Sequence, residues 1–423
     1  MTYRQYGAET ARVTRTAPAS PRPRQRRHRL GVLGALALAT DVVAADLVLG
    51  TASEAHQAIG RRVFGTLGAV TGTSARAPQR LHDGIVRTVY GGVGAGLRTT
   101  ARTLRHADRR GVGPLLEDSP RGRFVVSAVN GLIGDKLAER HPEAAIELAV
   151  RRAGRDVPTR RDALAEAFPA ATGDLVVFLH GLAESEHYWD RRGHETGGSY
   201  GDRLARERTW TPVYLRANTG LPIAENGAAL AGLLDRLVEQ WPVPVERIAL
   251  VGHSMGGLIM RAACAVQLQS RTPWHDLVTD VVTLGTPHLG APIERGLHLG
   301  TSLLGRLPEA APFGRILEYR SVGILDLRAG LAADVQNLPH ARYRLVAATL
   351  ASSHRHPVSE VLGDLLVRYP SAVGHARRGR PMFPGADVLH VRGDHFDLLN
   401  HDEVYAALRR WLDEPVRSGS RSA

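Results

Sequence analysis

The spacing of hydrophobic residues along the chain changes at about residue 174. Between 30 and about 110, and again between 124 and 152, apolar residues recur at steps of three and four, the period of a helix with one apolar face. The clearest series is Leu81, Ile85, Val89, Val93 and Leu97. We therefore predict that 30–170 forms a helical N-terminal region that packs against the rest of the protein.

After residue 174, short apolar runs alternate with segments of helical spacing. The runs are DLVVFLHG (174–181), TPVYLRA (211–217), RIALVGHS (247–254), LVTDVVTLGTP (277–287), YRLVAATL (343–350) and DVLHVRG (387–393). Strands that are apolar on both faces, with helices between them, are typical of a parallel sheet covered on both sides. The predicted fold class is α/β, with a mostly parallel sheet and helices on both faces over 171–414.

The stretch at 289–341 is too long for a simple connection between two strands. It contains two pieces with helical spacing, ERGLHLGTSLLGRL and GILDLRAGL. Open α/β sheets bind ligands at the carboxyl ends of their strands. We therefore predict that this insertion lies over that end of the sheet as a lid, just before the strand that carries the acid.

The net charge of +12 is concentrated at the N-terminus. Residues 1–29 hold eight arginines and one glutamate, which account for +7 of that charge. We predict that this Pro/Arg-rich tail is disordered, as is 415–423. The rest of the chain lacks the aromatic and basic interleaving of nucleic-acid binders, so we expect no nucleic-acid partner.

The basic tail continues into an apolar stretch, Leu30–Ala39. Ala37-Leu38-Ala39 is similar to a signal-peptidase site and would mean secretion. The alternative is an amphipathic helix, because Asp41 and Asp46 soon interrupt the stretch. On its length we predict the helix, and a cytoplasmic or peripheral membrane protein. The N-terminal helices then either contact anionic lipid or only pack on the outer helices of the sheet.

The segment Gly252-His253-Ser254-Met255-Gly256 sets one serine between glycines, where a strand ends and a helix begins. A sharp strand–turn–helix of this kind exposes the serine hydroxyl above the sheet. Glycines let the strand and the helix approach closely, and the amino end of the helix favours a negative charge. We therefore predict that Ser254 is a nucleophile, against the alternative of a purely structural turn.

A serine nucleophile needs a base, and in such folds the histidine follows the acid along the chain. His395 lies just past the last predicted strand and is the expected base. His401 lies beside a helix start, where a capping or surface role is favoured. His390 lies within the strand and is expected to pack there.

The orienting acid is expected on a loop after the strand that precedes the histidine strand. Asp364, preceded by Gly363, fits this position. Asp387 begins a strand, and Asp394 adjoins the histidine too closely to face its ring. Two further acids, Asp326 and Asp334, fall in the insertion.

Two backbone N–H groups are expected to stabilise the oxyanion. One belongs to Met255, and the other to Leu182 on the loop after an earlier strand. His180 is expected to position that loop by hydrogen bonding, whereas His253 and His288 could be structural. No histidine spacing supports a metal site, and the single cysteine, Cys264, excludes an internal disulfide.

Five segments together resemble the α/β-hydrolase superfamily: HGLAES, GHSMGGLIMR, TLGTPHLGAP, GDLLVRYPSA and HFDLLNHDEVY. Over about 174–414 the chain is similar to bacterial lipases and esterases and to the hydrolase domain of GPI inositol-deacylases. The resemblance implies that Ser254 is the nucleophile, Asp364 the acid and His395 the base, with Leu182 and Met255 as oxyanion donors. One departure is Leu365, because relatives often have a second glycine after the acid.

The sequence thus predicts a serine hydrolase that cleaves carboxylic esters, with an ester or lipid as substrate and no cofactor. An acyltransferase would use the same triad and acyl-enzyme with another acceptor. A non-catalytic binding protein of the same fold is the third possibility, which the intact set of three residues argues against.

Overall fold

The computed structural model describes residues 31–43, 95, 99–113, 115–266, 273–291, 321–331, 335–353, 355–356, 363–375 and 381–415. The helices are α1 Val32–Val43, α2 99–109, α3 Pro120–Arg140, α4 Arg161–Ala167, α5 Tyr200–Glu207, α6 Ile223–Gln240, α7 Met255–Cys264, α8 Val322–Ala329, α9 Tyr369–Ala372 and α10 Asp402–Asp413. The strands are β1 Ala149–Arg152, β2 Arg155–Val157, β3 Asp174–Leu179, β4 Trp210–Arg216, β5 Arg247–His253, β6 Val278–Leu284, β7 Arg342–Thr349 and β8 Asp387–Arg392. Short 3-10 turns lie at Leu116–Asp118, Glu186–Asp190 and Trp274–Leu277.

The described strands form one eight-stranded sheet in the order β2-β1-β4-β3-β5-β6-β7-β8. From β4 to β8 every neighbouring pair is parallel, whereas β1 runs antiparallel to both β2 and β4. The carboxyl ends of β3, β5 and β6 are therefore side by side at one edge of the sheet. The predicted site residues Ser254, just after β5, and Leu182, on the loop after β3, lie at this edge.

Helices cover both faces of the sheet, as the apolar runs predict. Along β3, Leu175 and Val177 pack into one apolar cluster and Val176 and Phe178 into the other. All four side chains have no accessible surface, because each face of the strand is covered. Burying such a side chain contributes about 1.5–3 kcal/mol. The α/β fold-class prediction is confirmed.

The predicted helix over 124–152 is wrong at its C-terminal end. The helix ends at Arg140, and Ala149–Arg152 forms a strand that pairs with β2 and β4. Arg151 is buried there, with Glu186 at 2.7 Å from its Nε and Asp156 at 2.5 Å from its Nη1. The sheet therefore begins well before the predicted domain boundary at 171.

Helix α3 lies against the carboxyl edge of the sheet. Its backbone is non-helical at Ile133, and the Asn218 amide donates to the Gly134 carbonyl at 3.0 Å. A Cβ on Gly134 would lie 1.9 Å from the Asn218 Oδ1, so only glycine admits this side chain. Insertion of a side chain into the helix is a recognised cause of a kink. The N-terminal region thus contacts the loop that follows β4.

The insertion is described only in part. Helix α8 overlaps most of the predicted GILDLRAGL piece, and Gly323 on it donates its N–H to the Gly220 carbonyl at 3.1 Å. This contact sets α8 beside the loop after β4, at the carboxyl edge. The other predicted piece lies in 292–320, outside the described residues, so its role as a lid stays a prediction.

The tails and most of the helical region predicted over 30–110 also fall outside the described ranges. This holds for 1–30, for every member of the series Leu81 to Leu97 and for 416–423. Predicted disorder and membrane contact of these segments therefore stay predictions. No helix in the described part of the chain is long and apolar enough to span a bilayer.

Candidate active site

Ser254 lies between the end of β5 and the start of α7, with a left-handed backbone at φ 51° and ψ −123°. A positive φ in a residue other than glycine costs about 1–3 kcal/mol and is kept only where the surroundings enforce it. The Ser254 N–H donates to the Leu284 carbonyl at 2.8 Å, which ties the turn to the end of β6. Sequence context predicted this sharp turn.

The two glycines around Ser254 are required by close backbone contacts. A Cβ on Gly256 would lie 2.3 Å from the Leu179 carbonyl oxygen, and one on Gly252 would lie 2.5 Å from the Gly257 nitrogen. Real side chains do not approach backbone this closely. Any residue but glycine would push α7 away from the strands and displace Ser254.

Asp364 and His395 form a buried hydrogen-bonded pair. Oδ2 of Asp364 lies 2.7 Å from Nδ1 of His395, and the two side chains are 1% and 3% exposed. The His395 N–H also donates to the Asp364 carbonyl at 3.0 Å, so backbone and side chain hold the two loops together. The other oxygen, Oδ1, accepts the N–H groups of Leu366 and Val367.

The environment of His395 favours its protonated form. Burial alone would lower its pKa, but the Asp364 charge and the hydrogen bond that His395 donates to Asp364 outweigh burial, and the pKa is raised. Such a base gains stabilisation as it accepts a proton. With Nδ1 bound to Asp364, Nε2 is the ring nitrogen that stays available to accept a proton.

Ser254 and His395 lie at the same point of the sheet. The Ser254 N–H donates to the Leu284 carbonyl. Leu284 is followed by Gly285, and a Cβ on Gly285 would lie 3.0 Å from Cε1 of His395. His253, adjacent to Ser254, has its ring centroid 4.7 Å from that of His395. The structure thus brings the three predicted residues to one edge of the sheet.

The turn that carries Asp364 strains the backbone at Leu365. Leu365 has φ +82°, and the preceding Gly363 has φ +59°. A glycine would adopt this conformation freely, whereas leucine is strained by about 1–2 kcal/mol. The position therefore favours the glycine that relatives often have.

Replacing Leu365 with asparagine is expected to raise the free energy of unfolding by about 1 kcal/mol, because asparagine tolerates the left-handed region. Urea denaturation measures this change. Leu325→Asn is the matched control, since Leu325 is similarly exposed but lies in the regular helix α8. Equal effects of the two substitutions would show that strain at Leu365 does not limit stability.

The alternative bases and acids have other roles. His401 is the N-cap of α10, accepting from the Glu403 N–H at 3.2 Å, and His390 contacts the Thr349 hydroxyl at 2.7 Å. Asp394 accepts the N–H groups of Phe396 and Asp397 within its own loop. The remaining acids bind elsewhere, Asp387 to Arg344 and Asp326 to the Ile223 N–H, and Asp334 lies outside the described residues.

The loop after β3 leaves the Leu182 N–H without an acceptor in the described part of the chain. The Gly181 N–H donates to Glu184 at 2.7 Å, that of Ala183 donates to Thr219 at 3.0 Å, and that of Glu184 to the Gly181 carbonyl at 3.3 Å. Among the described residues none accepts from the Leu182 N–H. Met255 is the first residue of α7 and has no acceptor within the helix.

His180 positions this loop, as predicted. Its Nε2 accepts the Ala217 N–H at 3.1 Å, so Nδ1 carries the proton and donates to the Gly181 carbonyl at 2.9 Å. The ring is fully buried, and burial lowers its pKa. Both observations describe a neutral imidazole that fixes the loop to β4.

Sequence reasoning missed Glu184. This carboxylate is buried, and its Oε2 lies 2.7 Å from the Gly181 nitrogen and 3.0 Å from Nδ1 of His253. Its spacing of three residues from Gly181 was the only signal in the sequence. The described residues hold no cluster of three or more acids, histidines or cysteines that could bind a metal ion.

Comparison with protein families finds a match that covers residues 226–303. The matching family is described as the PGAP1-like alpha/beta domain. The matched segment runs from α6 through β5, Ser254 and β6 into the insertion. Together with the sheet topology it confirms the α/β-hydrolase fold and the resemblance to the hydrolase domain of GPI inositol-deacylases. No curated protein matches the chain.

Several solved structures are similar to part of the chain. A lipase from Bacillus licheniformis is 19% identical, with a TM-score of 0.39, over 56% of this chain and 91% of that one. An esterase from Pyrococcus furiosus is 15% identical, with a TM-score of 0.36, over 57% and 83%. The RedJ thioesterase of the prodiginine pathway in Streptomyces coelicolor is 18% identical, with a TM-score of 0.35, over 57% and 91%.

Proposed function

We propose that the protein is a serine hydrolase that cleaves carboxylic esters through a covalent acyl-enzyme. The observation that carries this proposal is the buried Asp364–His395 pair at 2.7 Å, beside a serine held in a left-handed turn. A structural turn needs neither a strained serine nor a buried acid–imidazole pair next to it. The same arrangement argues against a non-catalytic binding protein.

In the first half of the reaction, Ser254 attacks the ester carbonyl carbon while its proton passes to Nε2 of His395. The charge on the carbonyl oxygen is stabilised by the N–H groups of Leu182 and Met255. The intermediate then collapses: the bond to the alcohol oxygen breaks, and the alcohol leaves with the proton from His395. Ser254 is left as an acyl ester.

In the second half, His395 takes a proton from water, and the resulting oxygen nucleophile attacks the acyl carbon. The bond to the Ser254 oxygen breaks, and that oxygen regains the proton from His395. The products are the carboxylic acid and free enzyme. Asp364 keeps its charge throughout and stabilises the imidazolium that forms twice per cycle.

The proposed substrates are esters with apolar acyl chains. The leucines of the insertion, in ERGLHLGTSLLGRL, support this preference, and so does the position of α8 at the carboxyl edge. An ester or a lipid with such a chain would place its apolar part against the insertion and its carbonyl at Ser254.

A panel of p-nitrophenyl esters from acetate to palmitate tests the proposal. We expect hydrolysis of several members, with kcat/KM rising from acetate toward the medium chains. A second series with added short alcohols distinguishes hydrolysis from transfer, because an acyltransferase would form the new ester as its main product. Failure to hydrolyse any member, together with no labelling by a fluorophosphonate, would contradict the proposal.

A further inference from the structure

A second buried pair of carboxylate and imidazole lies beside the first. Oε2 of Glu184 is 3.0 Å from Nδ1 of His253, and Nε2 of His253 is 3.2 Å from the main-chain carbonyl oxygen of His395. The side chains of Glu184 and His253 are 5% and 0% exposed. Neither takes part in the proton transfers proposed above.

Both ring nitrogens of His253 face hydrogen-bond acceptors. A carboxylate faces one ring nitrogen and a carbonyl faces the other, and both groups accept hydrogen bonds. His253 thus joins the Glu184 carboxylate on one side to the main chain of His395 on the other. Burial alone would raise the pKa of Glu184, but the His253 charge and the hydrogen bonds to Glu184 lower it.

This pair connects three parts of the proposed active site. Glu184 holds the Gly181 N–H, one residue before the oxyanion donor Leu182. His253 immediately precedes Ser254 and holds the backbone of His395. The chain of contacts from Glu184 to His395 thus spans the oxyanion loop, the nucleophile turn and the base loop.

We infer that Glu184 and His253 are positioning residues that keep the Leu182 N–H and the His395 ring aligned with Ser254. The inference rests on the proposed function, because it assigns these residues to the same reaction. Rate depends steeply on such alignment, since a misplacement of about 1 Å can cost about 100-fold. Glu184 and His253 act through their neighbours and touch no reacting atom.

Replacing Glu184 with alanine is expected to lower kcat about 30- to 100-fold, with KM changed less than about threefold, because alignment matters most for the charged intermediate. The inhibition constant of a trifluoromethyl ketone, which forms an oxyanion on the serine, should rise by a similar factor. Rates are normalised to the concentration of sites labelled by a fluorophosphonate, so that a partly unfolded sample does not lower them.

Two further variants separate positioning from loss of a buried acid. Glu184→Gln keeps an acceptor for the Gly181 N–H and should fall between the wild type and Glu184→Ala. Glu186→Ala is the matched control: Glu186 is a buried acid two residues away, but it binds Arg151 at 2.7 Å. It should lose stability while keeping kcat per labelled site within about threefold of the wild type.

A double-mutant cycle tests whether the two residues act as a unit. His253→Phe removes both ring contacts, and the combined variant should lose little more than Glu184→Ala alone. The inference is overturned if Glu184→Ala stays within threefold of the wild type, if Glu184→Gln is no better than alanine, or if the two losses multiply. An inactive, unlabelled wild type would instead overturn the proposed function.

Discussion

Replacing Ser254 with alanine is expected to lower kcat for ester hydrolysis by about 10⁴ to 10⁶ and to abolish labelling by a fluorophosphonate. The reason is that no acyl-enzyme can form without the hydroxyl. KM should change little, because the substrate contacts the surrounding residues. Steady-state kinetics on a p-nitrophenyl ester and in-gel fluorescence of the labelled protein measure the two effects.

The matched control for this prediction is Ser199→Ala. Ser199 caps α5 in a reciprocal arrangement with Asp202, so its loss should cost about 1 kcal/mol of stability but leave labelling intact.

A third variant, Ser254→Gly, should be inactive and more stable than Ser254→Ala, because glycine relieves the backbone strain at φ 51°. Equal labelling of wild type and Ser254→Ala would remove the nucleophile assignment.

The central parallel strands could be predicted because strands such as β3 and β5 are buried on both faces and so form continuous apolar runs. Two antiparallel strands at the sheet edge were not predicted. In β1, Arg151 is buried only because Glu117, Asp156 and Glu186 surround it. Hydropathy predicts that such a residue is exposed, since two of its neutralising partners, Glu117 and Glu186, lie more than 30 residues away along the chain.

Three residues of the candidate site could be predicted because their order along the chain indicates their chemistry. A serine between glycines, a later acid after a strand and a final histidine define three positions without any knowledge of contacts. Glu184 could not be found this way, because its partner His253 lies 69 residues away. The strain at Leu365 could not be predicted either, since the backbone angle φ of Leu365 depends on how Asp364 must face His395.

Replacing Asp364 with asparagine is expected to lower kcat by about 10³ to 10⁴. Oδ2 of Asp364 accepts from Nδ1 of His395, whereas an amide nitrogen in its place would donate. The imidazole would then carry its proton on Nε2, where it cannot accept the proton of Ser254. Asp394→Asn is the matched control, because its remaining oxygen still accepts the N–H groups of Phe396 and Asp397. It should keep kcat within about threefold.

The pH dependence of kcat/KM gives this prediction a second readout. Asp364 raises the pKa of His395, and only the neutral imidazole can act as base. Activity should therefore rise with pH through a value above the ordinary histidine pKa of about 6.5. In Asp364→Asn the stabilising charge is gone, burial dominates, and the residual activity should rise at a lower pH. If Asp364→Asn keeps near-normal turnover and its kcat/KM rises over the same pH range as that of the wild type, another acid orients His395.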